Sequence, residues 1–443
     1  PKLADSFKNS AEYSTFLSGK TPDQLFYSLL YQYGTVDRFS WIENNNEIVR
    51  ASKVAEVEKS TGFDYMVYPK DNSNSAAVAL VNYVVPGSSA ATAGLMRGDI
   101  ITKVNGSPLT LQNYGLLSGD QFTVTRAATA TMTSTALVTT DRVESLTITK
   151  TNIDENPVAF YKKFTYGSKN IGYLVYNGFK SDYNDELNTA FATMKADGVT
   201  ELILDLRYNG GGSLETAAAL AQMINGNNTG QPYVYLDFNA KHNDQDGMDY
   251  LTNTVNTYNI VNGYPEKTGQ QAVNSLNLTK VYILTSYQTA SASELTVLSL
   301  NKYVPVVTIG DETYGKFVGS ITLYDSPESD YTSYEKRNKS HNWKLQPITF
   351  SYLNKDKEPT PLTGGIKPNY EVNPYAAINN IKEFGNTSDP ELKKALELIT
   401  GQTITKNALT NVTYTNKNIR FQPQKEGTGL VIEDFDNFSK RKK

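Results

Sequence analysis

Cysteine is absent from the 443 residues, and histidine occurs only at His242 and His341. The first absence excludes disulfide scaffolds, cysteine nucleophiles and thiolate metal sites. The second nearly excludes a histidine-built metal centre, because the two lie 99 residues apart and no HExxH helix is present. A surplus of cations is also lacking: 42 Lys and Arg against 46 Asp and Glu leave a net charge of −4. Nucleic-acid and anionic-membrane binding both need clustered cations, so neither partner is expected. No apolar run reaches the roughly 18 residues of a membrane span, and the most apolar stretch, 76–85, is far too short. No metal or nucleotide cofactor is implied.

What is present describes a globular chain. An aromatic share of 11% with 20% charged residues is not a disordered composition. At about 100–200 residues per domain, this length predicts several domains. The chain opens at Pro1, without Met or a signal-peptide pattern, so a targeting segment is expected to have been removed. With a surface rich in Tyr, Asn, Ser and Thr, this favours an extracytoplasmic setting, periplasmic or in the cell envelope.

Residues 1–58 form an N-terminal helical segment. Thr21-Pro22-Asp23-Gln24 reads as an N-cap followed by proline at the first helical position. Leu25, Leu29, Leu30 and Tyr33 make an apolar face, and Gly34 ends the helix. The stretch 37–42 reads as an aromatic-anchored loop. Over 59–150 the pattern becomes short strands with turn signals: 63–68, 77–85, 100–104 and 121–126. Over 151–380 strands and helices alternate, with strands at 171–176, 201–206, 280–285 and 306–309. Helices at 185–196, 214–224 and 291–303 separate them. Such alternation predicts an α/β unit with a mostly parallel sheet and flanking helices, its functional groups in loops at the strand ends. Residues 381–443 read as a C-terminal helix over 389–400 and a charged tail.

Three strand-end loops carry chemistry. Asp205-Leu206-Arg207-Tyr208-Asn209-Gly210-Gly211-Gly212-Ser213 places three consecutive glycines before a helix. They make either a plain flexible turn or a nest of bare backbone N–H groups for an anion. Spaced glycines of a dinucleotide fingerprint are absent and no P-loop lysine follows, so an oxyanion hole is the better use of such a nest. The second loop, 285–294, ends in Ser291-Ala292-Ser293-Glu294. That tetrapeptide is a capping box, or else it sets a serine nucleophile at a helix N-terminus. The third, 311–316, ends in Lys316, which is either a solvated surface charge or a general base. As a base it must be neutral, and Tyr314 and Phe317 are the expected source of the burial that would lower its pKa.

Two resemblances join these signals. The segment 93–106, Ala-Gly-Leu-Met-Arg-Gly-Asp-Ile-Ile-Thr-Lys-Val-Asn-Gly, resembles a PDZ domain, which implies a small β-rich peptide-binding unit. The resemblance makes Gly62, Phe63 and Asp64 the loop that receives a terminal carboxylate; a plain strand-entry turn is the other use of these residues. The Ala/Thr-rich continuation 127–140 departs from the pattern. The glycine loop, Thr-Ala-Ser-Ala-Ser-Glu and Thr-Tyr-Gly-Lys occur in that order, with Lys316 25 residues after Ser291. As a set they resemble the C-terminal processing, or tail-specific, serine peptidases, over about residues 20–375. The resemblance implies a crotonase/ClpP-like core, Ser291 as nucleophile and Lys316 as general base. It also implies an oxyanion hole from Ala292 N–H and one of Gly210 or Gly211. The family often has Gln four residues after the lysine to orient it, whereas here the position is Ser320.

The expected activity is endoproteolysis of polypeptide tails. A peptide-binding protein on a degenerate peptidase scaffold is one rival, and Ser320 favours it slightly. A crotonase-like acyl-CoA enzyme is the other, disfavoured by the PDZ-like insertion and the negative net charge. A Ser-His-Asp arrangement would have to recruit His242 or His341, both in polar, loop-like segments.

Overall fold

The computed structural model describes residues 7–44, 59–71, 75–133, 136–261, 264–361, 364–373, 381–403 and 430–432. Most of the charged tail lies outside the described residues. The chain begins with two short helices, α1 (Ser10–Leu17) and α2 (Pro22–Leu29). Proline opens α2, and the Gln24 side chain accepts the Thr21 N–H at 3.0 Å. The helix is shorter than its sequence implies and faces the other way. Leu29 and Tyr33 are exposed, and Phe26 is the residue it buries. One buried ring suffices because α2 lies on the rim of the molecule. After it, β1 (Trp41–Asn44) pairs antiparallel with a strand some 300 residues later, Trp41 opposite Gln346.

A small β unit follows: β2 (Phe63–Pro69), β3 (Ala77–Val84), the short helix α3 (Ser89–Ala93), β4 (Ile100–Val104), β5 (Gln121–Met132) and β6 (Leu137–Thr149). The strands pair antiparallel in the order β2-β3-β4-β5-β6. Asn105 and Gly106, both with positive φ, close the turn after β4. The Ala/Thr-rich stretch extends β5 and β6 into a long hairpin arm, fully exposed at Val143.

The larger unit holds β7 (Val158–Tyr166), β8 (Lys169–Tyr176), α4 (Asn184–Ala196), β9 (Glu201–Asp205), α5 (Leu214–Ile224), β10 (Pro232–Phe238) and β11 (Gly247–Tyr250). It continues with β12 (Val281–Thr285), α6 (Ala292–Leu300), β13 (Val306–Gly310), β14 (Val318–Ile321), β15 (Trp343–Gln346), β16 (Ile348–Asn354) and β17 (Tyr370–Glu371). The last elements are α7 (Pro390–Thr400) and β18 (Leu430–Ile432). The main sheet runs β7-β8-β9-β12-β13-β17; β7 and β8 pair antiparallel and the remaining neighbours parallel. Strand side chains alternate between its faces. Leu202, Leu204 and Ile283 pack under α4, α5 and α6, while Ile203, Tyr282 and Leu284 meet Leu392, Leu396 and Ile399 of α7.

A second sheet, β11-β10-β16-β14-β18, is mainly antiparallel and adds Val234, Phe350 and Tyr352 to the same core. The helix–strand alternation did not reveal it, because its strands come from distant segments with no intervening helix pattern. Between the small unit and the core runs the segment before α7: Ile381 packs against Val78 and Leu80. No helix among the described residues is long and apolar enough to cross a membrane.

Candidate active site

The three loops named from the sequence leave the carboxyl ends of β9, β12 and β13, neighbours in the main sheet. Side chains stitch the first two together. Thr289 Oγ1 donates to the Leu206 carbonyl at 2.8 Å, and Ser293 Oγ donates to that of Asn209 at 3.0 Å. Asn209 is wholly buried; its amide donates to the Tyr176 carbonyl and its Oδ1 accepts the Gly211 N–H, each at 2.9 Å. Gly211 (φ 106°) and Gly212 (φ 137°) occupy backbone conformations that side chains disfavour. A Cβ on Gly211 would lie 2.9 Å from Ser291 Cβ and 3.0 Å from the Ala292 nitrogen, so the glycine is what lets the two loops touch. With Gly211 N–H committed to Asn209, the N–H groups of Gly210 and Gly212 are left without an acceptor among the described residues.

Ser291 precedes α6 and is fully buried, with φ 58° and ψ −110°. A non-glycine residue there carries strain of about 1–3 kcal/mol, held by its surroundings. Its Oγ has no hydrogen-bond partner. The capping motif is half used: the Glu294 carboxylate accepts the Ser291 N–H at 2.8 Å. Buried itself, Glu294 also accepts from Gly315 N–H at 2.8 Å, Lys316 N–H at 2.9 Å and the Thr313 hydroxyl. Burial raises its pKa against the pull of those hydrogen bonds. One carboxylate thus ties the serine loop to the lysine loop.

Lys316 is 6% exposed. Burial lowers its pKa to about 8, opposed by the negative charges of Glu294 and Asp37. The ring over its amine is not the expected one. Phe39, from the N-terminal segment, lies 4.7 Å from Nζ to ring centroid. Tyr314 packs on Phe39 instead, at 6.0 Å, and Phe317 turns inward against Tyr352 at 6.2 Å. Phe39 is held by its neighbours: Asp37 accepts the N–H groups of Phe39 and Ser40, and Ser40 Oγ accepts the Ile348 N–H at 2.9 Å. The sequence analysis missed this contribution, although the aromatic-anchored loop at 37–42 was the available signal.

The other named residues sit as follows. Ser320 is buried in β14, paired with Ile348 and Val431. Ala292 opens α6, its N–H beside Gly211. Gly62 (φ 78°) packs so closely that a Cβ would meet Ser88 Cβ at 2.1 Å, and its N–H donates to Ser60 Oγ. Phe63 opens β2, and the Asp64 carboxylate accepts from Gln288 at 3.3 Å, three residues before Ser291. His341 is engaged with Asp325 at 3.2 Å. Among the described residues no three His, Cys, Asp or Glu side chains cluster as metal ligands do.

A second buried polar cluster lies beside the glycine loop. Arg207 bonds Asp205 at 2.7 Å and Asp389 and Glu391 each at 3.0 Å. Arg97 reaches it from the small unit, contacting Tyr208 at 2.6 Å, Asp389 at 3.4 Å and the Asn82 carbonyl.

A mixed α/β sheet, with a serine and a buried lysine in loops at adjacent strand ends, is thus joined to a small antiparallel unit. The comparisons agree. Residues 170–372 match peptidase family S41, and residues 80–122 match the PDZ domain. The chain is thus similar to peptidase family S41 over its α/β part and to the PDZ domain over its small β part. It is 25% identical over 245 residues to a carboxyl-terminal-processing protease of Picosynechococcus, covering 55% of this chain and 52% of that protein. It is 25% identical over 283 residues to a Staphylococcus epidermidis protein named as CtpA-like serine protease, covering 62% of this chain and 50% of that one. The chain therefore spans about half the length of these relatives. A crystal structure from Bacteroides fragilis, assigned to the S41 proteases, superposes with a TM-score of 0.66 at 26% identity, over 88% of this chain and 92% of that one.

Proposed function

We propose that the chain is a serine endopeptidase that captures polypeptide tails and cleaves them through Ser291 and Lys316. The observation that carries this reading is the pairing of an unpartnered, buried Ser291 hydroxyl with a lysine whose pKa is lowered to about 8, their backbones joined through Glu294. Lys316, neutral above pH 8, takes the Ser291 proton as Oγ attacks the scissile carbonyl. The oxyanion is received by the N–H groups of Gly210 and Ala292, at the positive end of α6. Lys316 then protonates the leaving amine; in the second half, neutral Lys316 takes a proton from water as it attacks the acyl-enzyme and returns that proton to Ser291 Oγ as the acid is released. Tails are received at β2 beside Gly62, Phe63 and Asp64, with Asp64 already in contact with the serine loop. The composition suits an extracytoplasmic site of action.

The test is digestion of fluorescein-labelled casein by the intact chain, Ser291→Ala and Lys316→Ala, with products identified by mass spectrometry. Both variants should lose at least about 1,000-fold in turnover, since members of one catalytic unit fail together. Full activity in Lys316→Ala would refute the dyad. Tight binding of C-terminal peptides by the intact chain, with no cleavage of casein or of those peptides, would make it a binding protein.

A further inference from the structure

Tyr352 lies in β16, fully buried, with its ring edge-on to Phe317. Its hydroxyl has two acceptors: the carbonyl of Ser291 at 2.9 Å and that of Lys316 at 3.0 Å. These are the same two residues whose N–H groups converge on one oxygen of Glu294, at 2.8 and 2.9 Å. Both residues are therefore gripped on both sides of their Cα atoms, by a carboxylate at the N–H groups and a phenol at the carbonyls. Ser291 needs such a grip, since its backbone sits at φ 58° and would relax if released.

We propose that the Tyr352 hydroxyl is a positioning group that holds Ser291 and Lys316 in their working register by bonding both carbonyls. The inference rests on the reading of those two residues as nucleophile and base. A core tyrosine at this place has no other reason to be polar: phenylalanine would fill the same space between Phe317 and the second sheet. Burial, reinforced by the Glu294 and Tyr233 charges, pushes its pKa well above 10, so the hydroxyl stays a donor throughout the working range. The groups facing Lys316 are Glu294 and Asp37, which favour its charged form, and the ring of Phe39.

Tyr352→Phe keeps the ring and removes only the donor. The expected crystal structure of this variant shows Ser291 shifted out of its left-handed conformation and Lys316 displaced. The expected kinetics on fluorescein-labelled casein are about a tenfold loss in kcat/KM, with the rising limb of its pH profile moved up by at least half a pH unit. A tyrosine that only stabilised the fold would lower the melting temperature and leave that midpoint in place. Tyr352→4-aminophenylalanine restores a donor at the same point and should return the profile toward that of the parent. An unmoved Ser291–Lys316 pair in the crystal, or an unshifted midpoint, overturns the proposal. Turnover surviving in Ser291→Ala would instead defeat the nucleophile reading, and the crystal comparison would still judge the brace.

Discussion

Two buried polar clusters lie a few residues apart on either side of the glycine loop, and they are built on opposite principles. Around Arg207 almost every polar group is answered. Burial raises the pKa of Glu391 against the pull of Arg207. Asp389 would also rise through burial, but Arg207 and Arg97 hold it below its ordinary value. Two guanidinium groups thus face the carboxyl groups of Asp205, Asp389 and Glu391. Such a cluster holds loops together and has little left to offer a ligand. Around Ser291 the balance is withheld: the serine hydroxyl has no partner, Gly210 and Ala292 offer bare N–H groups, and burial lowers the pKa of Lys316 to about 8. Density of charge therefore does not single out the candidate site. What singles it out is polarity left unanswered within a closely bonded framework.

The comparison breaks if the answered cluster proves dispensable. Arg207→Ala leaves Asp205 and Glu391 without their cation and Asp389 with Arg97 alone, and should cost about 3–5 kcal/mol, read as a lowered midpoint in chemical denaturation. An unchanged midpoint would mean that the cluster holds nothing. Gly211→Ala sets a Cβ against Ser291 and should lower kcat about 100-fold while the denaturation midpoint falls far less. Phe39→Ala should sharpen the role of burial. Water reaching Lys316 weakens the desolvation that lowers its pKa, so the rising limb of activity moves up from about 8. A shift of about one unit cuts the neutral fraction at pH 8 about fivefold, and activity recovers at higher pH. Activity unchanged at pH 8 would leave Phe39 without influence. The smallest effect belongs to the hairpin arm: Val143→Thr, at a fully exposed site, should alter stability by less than about 0.5 kcal/mol.

Much of the core was readable from periodicity and turn chemistry. The strands expected at 171–176, 201–206, 280–285 and 306–309 form at 169–176, 201–205, 281–285 and 306–310, where runs of apolar residues are bounded by turn signals. The three reactive loops fall at their ends because the alternation of helix and strand leaves the chain nowhere else to turn. The helix face of Leu25, Leu29 and Tyr33 failed because an eight-residue helix on the rim has no core to select its orientation. The second sheet failed for another reason: β10, β14, β16 and β18 are joined by pairing across the chain, and local pattern carries no record of a partner.

The active site divides along the same line. Residue types and local backbone were set by the sequence alone: glycines where a Cβ cannot fit, a serine before a helix, a glutamate three residues after it and a lysine past a strand end. These depend on interactions within a few residues, which short segments encode directly. Which ring covers Lys316, which hydroxyl grips both carbonyls and which arginine joins the PDZ domain to the core were decided only in three dimensions. Phe39 and Tyr352 reach the site through strands paired over long stretches of chain, and Arg97 meets Asp389 292 residues later. Burial and convergence belong to the whole packed molecule, and they set Ser291 and Lys316 apart from an ordinary serine and an ordinary surface lysine.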